Sequence, residues 1–266
     1  PRGTAARFRG EMESHRLRRE IISTVLANRI VNLAGPVFIH RMKEVSGAPA
    51  SAVARAFVLA DGAFGLSALK TRIDALDLKI AADIQTSMYA DIAELLRRLG
   101  LWFLINVPAN ARLGDGVARY RAGVEQLRGT FSTLISPYEA HDTEARIDEL
   151  AKAGAPHDVA EDVAVLPLLS AAPEIVQLAF SRALDIDLVA GAYFAIGESV
   201  GLDRLRGLAS RIAANEHWDR LAIRRIKDDL FAAQRALTAH ALVKFEGDKT
   251  DTTREDGAAA VTVWAE

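Results

Sequence analysis

Apolar residues along this chain recur mainly at steps of three and four. Ile84, Met88, Ile92, Leu95, Leu99 and Trp102 form one continuous stripe, the spacing of one face of a helix. Ile223, Ile226, Leu230, Ala233, Leu237 and Ala241 repeat the pattern later in the chain. Leu17, Ile21 and Val25 begin a third stripe that continues as Asn28 and Asn32. Strict alternation, the mark of a half-buried strand, is scarce. Its best example, Val261-Thr262-Val263-Trp264, is short and follows an alanine run.

Proline and glycine cut these stripes into segments. Gly35-Pro36 closes a first helix reaching back to Met12, because proline disfavours helix at the residue before it. Ser46-Gly47-Ala48-Pro49 ends a short second helix and opens a third, which Gly65 divides from a fourth ending at Leu76. A long helix is predicted from Lys79 to Ile105, followed by a loop over Pro108 to Gly116. Ser136-Pro137, Gly154-Ala155-Pro156, Pro167 and Pro173 mark later breaks. Asp187, Asp203 and Asn215 are the predicted N-caps of the following helices, since short polar side chains accept orphan amide hydrogens. The result is an all-α fold, an irregular multi-helix bundle of about ten helices without a fixed repeat period. Residues 1–243 read as one helical accessory domain with a possible subdomain break at 108–116. Residues 244–257 read as a flexible loop or linker, and 258–266 as the start of a truncated helix.

Composition narrows the function classes. The 266 residues are 50% apolar and 26% charged, with a formal charge of −2. That apolar fraction supports a substantial core and excludes disorder throughout. Near-neutrality argues against a dedicated nucleic-acid binder. There is no cysteine, which removes disulfides, thiolate metal sites and cysteine nucleophiles. No apolar run approaches the ~18 residues of a membrane span, and no secretory h-region follows the N-terminus. A cytoplasmic location without membrane contact is expected. The chain lacks an initiator methionine and stops within a helix-compatible run, so it is expected to be a piece of a longer polypeptide.

Candidate chemistry is sparse. The glycine clusters Gly62-Ala63-Phe64-Gly65 and Gly114-Asp115-Gly116 follow no predicted strand and contain no phosphate-binding lysine; they read as helix stops. The six histidines are scattered with no pair at helical ligand spacing, which leaves no metal motif. A G-x-S-x-G elbow is absent. Catalytic, cofactor-binding and metal-binding residues are therefore all predicted to be none in this segment.

The polar features that remain suit contacts. Asn28 and Asn32 continue an apolar stripe, where a buried, unpaired amide costs roughly 1–3 kcal/mol. They would either bond a neighbouring helix and fix its register or meet another domain. Arg16, Arg18 and Arg19 cluster near a helix start, against the helix dipole. Arg224/Asp228 and Arg225/Asp229 stand at i, i+4 and read as surface pairs or an interdomain seam. Arg18, Arg19, Asn28, Asn32, Arg224, Arg225, Asp228 and Asp229 are thus candidate interdomain contacts.

His15-Arg16-Leu17-Arg18-Arg19-Glu20-Ile21-Ile22, with Ala27-Asn28 and Val31-Asn32, resembles the opening of the C-terminal helical region of the large bacterial NAD-specific glutamate dehydrogenases. Phe64-Gly65-Leu66, Ile73-Asp74-Ala75-Leu76-Asp77 and Leu95-Leu96-Arg97-Arg98 agree in order. So do Tyr193-Phe194-Ala195-Ile196-Gly197-Glu198, His217-Trp218 and Gln234-Arg235-Ala236-Leu237-Thr238. The resemblance runs to Val243 and is loose from Ala109 to Ala160. It implies a parent chain that oxidises L-glutamate to 2-oxoglutarate and ammonium with NAD as hydride acceptor. It also implies that the nucleotide fold and catalytic lysine lie upstream. The expected partners are that catalytic domain and other copies of the parent in a homo-oligomer, with no nucleic acid and no membrane. The competing reading is a free-standing helical adaptor, with Ser46 to Ile73 imitating a DNA-binding helix-turn-helix in which Lys70 and Arg72 are the only basic residues of the would-be recognition helix.

Overall fold

A computed structural model describes residues 8–247. The described residues form helices joined by short connections: α1 (Arg9–Ser14), α2 (Arg18–Ala34), α3 (Phe38–Ser46), α4 (Ala50–Phe64) and α5 (Leu66–Asp74). They continue as α6 (Ala82–Asn106), α7 (Leu113–Leu134), α8 (Pro137–Lys152), α9 (His157–Ala164) and α10 (Leu166–Leu169). The last are α11 (Ala172–Arg182), α12 (Ile186–Val200), α13 (Leu202–Arg211) and α14 (His217–Gly247). The all-α expectation holds, with more helices than the ten or so read from the sequence.

The core begins at α4. Its Val53, Phe57 and Ala60 are fully buried, with α6 packed on one side and α7 on the other. The predicted α6 stripe is that core face: Met88, Ile92, Leu95, Leu99 and Trp102 are all buried. Trp102, Phe103 and Tyr120 meet edge to face across α6 and α7, the latter two with centroids 4.9 Å apart, a geometry the ring quadrupoles favour. Farther along the chain α12 lies between α7 and α14. The buried residues on both sides of the 108–116 region belong to one continuous core.

Local chemistry explains most boundaries. Gly65 ends α4 with φ +68°, a left-handed conformation that glycine adopts at no steric cost. Gly201, at φ +74°, turns α12 into α13 the same way. Ser136 heads α8 as a full capping box: its side chain accepts from the Glu139 amide, and Glu139 reaches back to the cap.

Several boundaries differ from expectation. The first helix is not continuous from Met12; it breaks at His15, whose Nδ1 accepts the Leu17 amide at 3.2 Å. The long helix starts at Ala82 rather than Lys79, because Leu78 sits at φ +61° and the chain turns there. The loop is confined to 107–112, so Gly114 and Gly116 are helical. Asp185, not Asp187, caps α12, and Gly201 occupies the cap of α13. Before α14 it is Asp219, not Asn215, that accepts the Glu216 amide. The predicted linker begins too early, since α14 runs through Gly247. The rest of that linker and the predicted helix at 258–266 lie outside the described residues.

Candidate functional site

Most polar groups of the interior gather around Arg98; buried Asp61 stands apart, paired with Arg29 and Ser67. Arg98 shares the inward face of α6 with Leu95 and Leu99, so its guanidinium is carried into the core. There Nη2 donates to Glu174 Oε1 at 3.0 Å, Nε to the Ser170 carbonyl at 3.1 Å and Nη1 to Asp228 Oδ1 at 3.1 Å. The guanidinium carbon lies 3.4 Å from the centroid of the Phe231 ring, a desolvated cation–π contact. Glu174 stands in the first turn of α11, where the helix dipole favours an anion. Tyr193 Oη donates to its other oxygen at 3.4 Å.

The network continues away from Arg98. Gln234 Nε2 donates to the Tyr193 carbonyl at 2.7 Å, and its Oε1 accepts from Arg206 Nη1. Arg206 Nη2 reaches Glu139 Oε1 at 3.2 Å. Ser136 Oγ donates to Asp203 Oδ2 at 2.6 Å. One line of hydrogen bonds therefore joins α6, α11, α12, α14, α13 and α8. Burial pushes Glu174 and Glu139 above the ordinary carboxylate range despite their arginine partners, and lifts the Tyr193 phenol well above its usual value.

Beside this network a cleft of about 500 Å³ opens between α6 and α14. Leu95, Val163, Leu166 and Phe231 line its apolar part. Its rim is paired: Arg97 with Glu94 at 3.0 Å, Arg224 with Glu94 at 3.7 Å, Arg146 with Asp91 at 2.7 Å and Arg211 with Asp142 at 3.1 Å. Burial pushes Glu94 up, but Arg97 and its other cationic neighbours hold it below the ordinary value. Lys227 is pulled down by burial and by Arg97 and Arg98, against the attraction of Glu94 and Asp228. Cations and carboxylates answer one another around the cleft, which makes it a seam between helices. No group of three histidine, aspartate or glutamate side chains suited to a metal occurs among the described residues.

The residues singled out in the sequence fall into two sets. Arg18, Arg19, Asn28 and Asn32 are exposed on α2; the stripe expected to bury the asparagines faces solvent, and α2 instead buries Ile30 and Leu33. Asn28 and Asn32 therefore need no buried partner. In α14 the Arg225–Asp229 pair forms on the surface at 3.0 Å. The expected Arg224–Asp228 pair does not: Arg224 turns to Glu94, and Asp228 to Arg98 and Arg97. Three charges on α6, Glu94, Arg97 and Arg98, outcompete the unfavourably ordered i, i+4 partner. Arg98, Glu174, Arg206 and Gln234 were not singled out, and apolar periodicity carries no signal for them. Lys70 and Arg72 of the helix-turn-helix reading bind carboxylates, Lys70 on Asp74 at 2.8 Å and Arg72 on Asp158 and Asp162.

Comparison with known proteins places the chain. A family model described as glutamate dehydrogenase, C-terminal, matches residues 1–266. An NAD-specific glutamate dehydrogenase of Halomonas elongata is 33% identical over 256 residues, 96% of this chain and 16% of that protein. Proteins of the same description from Pseudomonas aeruginosa and Mycobacterium tuberculosis are each 31% identical, over 92% and 89% of this chain. The chain spans about 15% of the length of these relatives, 15% of the Pseudomonas protein and 14% of the mycobacterial one. The alignment takes in α1 to α14 together, including the Arg98 network and the exposed face of α2, and on that match the chain belongs to the glutamate dehydrogenase C-terminal family.

Proposed function

We propose that this chain is the helical C-terminal portion of a large NAD-dependent glutamate dehydrogenase. The parent reaction converts L-glutamate, NAD⁺ and water to 2-oxoglutarate, ammonium and NADH. The segment itself is non-catalytic and packs against the catalytic domain or supports assembly of a homo-oligomeric, cytoplasmic parent. The observation that carries this reading is the match of all 266 residues to the C-terminal family, against 16% or less of each relative's length. The Arg98 network supports it, because its charged groups are engaged with one another and link six helices by hydrogen bonds. Arg18, Arg19, Asn28, Asn32, Arg225 and Asp229 remain as surface contacts toward other parts of the parent.

The test is direct. The full-length chain should form NADH from glutamate and NAD⁺, while residues 1–266 alone should show no NAD⁺ binding by calorimetry. Saturable NAD⁺ binding by the segment would overturn its non-catalytic assignment. The adaptor reading loses its support with Lys70 and Arg72 neutralised, and a salt-sensitive DNA shift would revive it.

A further inference from the structure

Helix α2 has two apolar faces and only one of them is covered. Leu26, Ile30 and Leu33 turn toward the body of the fold, where Ile30 and Leu33 are buried and Leu26 packs against the core. Nine residues make two and a half turns of helix, so Leu17 stands opposite Leu26 and Ile21 opposite Ile30. That outward face carries Leu17, Ile21 and Val25, and Ile21 and Val25 are 53% and 60% exposed. Residues 8–25 are all exposed, so α1 and the first two turns of α2 project from the body as an arm. Isolated helices shorter than ~12–15 residues are marginal in water, and a helix apolar on opposite faces belongs between two packing surfaces.

We infer that this arm is clasped by the polypeptide that precedes it in the parent chain, with Leu17, Ile21 and Val25 inserted into an apolar groove of the upstream domain. The inference rests on the reading of the chain as the C-terminal part of a larger enzyme. The matched relatives are more than six times longer than the region matched, by the 16% share, and the family is the C-terminal one. A C-terminal family implies polypeptide upstream of this region, joined to the fold on the α1 side and so next in sequence to the uncovered face. Arg18, one residue on from Leu17, borders the stripe at that end, so the groove should carry a carboxylate at its rim. Asn28 and Asn32 extend the same face toward the body and supply its hydrogen bonds.

The test uses the full-length chain with a photoreactive phenylalanine analogue at position 21. Illumination should give an adduct at monomer mass whose fragments join residue 21 to sequence upstream of this segment. An adduct at dimer mass would assign the face to a second copy, and no adduct would leave it bare; either overturns the inference. In parallel, hydrogen exchange of the unmodified full-length chain should show amides 19–29 protected about 100-fold or more, and Ile21→Asp/Val25→Asp should remove that protection. Where this double variant fails to fold, Ile21→Ala/Val25→Ala should lower it at least 10-fold, and unchanged exchange would count against the groove. Glutamate-dependent NADH formation by the same preparation reports on the dehydrogenase reading separately.

Discussion

Arg98 holds four elements at once, and its removal shows what a buried charge is worth. Arg98→Leu leaves Glu174, 3% exposed, without its cation. Breaking a buried pair from one side costs about 3–5 kcal/mol, and urea unfolding should lose that much at neutral pH. Arg98→Leu/Glu174→Leu should recover part of the loss, because neither charge is then stranded. Glu174 also sets a pH dependence. Its folded value lies above the 4.5 of a free glutamate because burial outweighs Arg98. The folded state therefore holds this proton more tightly than the unfolded chain. The stabilisation is complete below pH 4.5 and fades as pH rises through the folded value. Glu174→Gln cannot titrate, so its melting temperature relative to wild type should improve from pH 4.5 toward neutrality; a constant gap would show that Glu174 is not the group responsible.

At the scale of elements, the polar interior changes how helices present themselves. α13 buries Asp203 and Arg206 while Leu205 and Leu208 face outward. α14 buries Gln234 and Thr238 beside Phe231 and Leu242, while Ile226 is half exposed. Apolar periodicity found the α6 face because that face is apolar. It misjudged α2, where Leu17, Ile21 and Val25 lie outside with Asn28 and Asn32 while Ile30 and Leu33 lie within, and α14, where Gln234 and Thr238 lie within. Family motifs did contain Arg98 and Gln234, but nothing local to those residues marks them as internal. The helix starts show the same limit. Ser136-Pro137 is readable as a break, whereas its second role, donating to Asp203, requires two elements distant in sequence. Ser136→Ala removes both that bond and the cap, and should cost about 1–3 kcal/mol, measured by thermal or urea unfolding. Gly197→Ala tests the contact of α12 with α14, because a Cβ there would overlap Gln234 Nε2. Overpacking of this kind costs about 1–3 kcal/mol, and Gln234→Ala should offset part of it by opening space while sacrificing the hydrogen bond to Tyr193.

Across the whole molecule, covalent continuity conceals an uneven hold on the last helix. From Phe231 to Leu242, α14 buries Phe231, Gln234, Thr238, Ala241 and Leu242, so dispersion, apolar burial and internal hydrogen bonds secure it. From His217 to Leu230 no residue is buried, and Trp218 is 74% exposed. That half is linked across the cleft by long side chains: Arg98 with Asp228 at 3.1 Å, Arg97 with Asp228 at 3.7 Å and Arg224 with Glu94 at 3.7 Å. Partly exposed ion pairs contribute little individually and are screened by salt, whereas buried apolar area is not. Hydrogen exchange should therefore divide α14 near residue 230 in the isolated chain. Amides 220–229 should exchange about 10-fold or more faster than amides 233–241. Raising the salt from 0.1 M to 1 M shortens the screening length from about 10 Å to about 3 Å, so the first half should speed up further while the second stays nearly unchanged. Equal protection in both halves, insensitive to salt, would mean that apolar contacts of Leu221, Ile223 and Leu230 hold the helix and that the bridging charges merely decorate it.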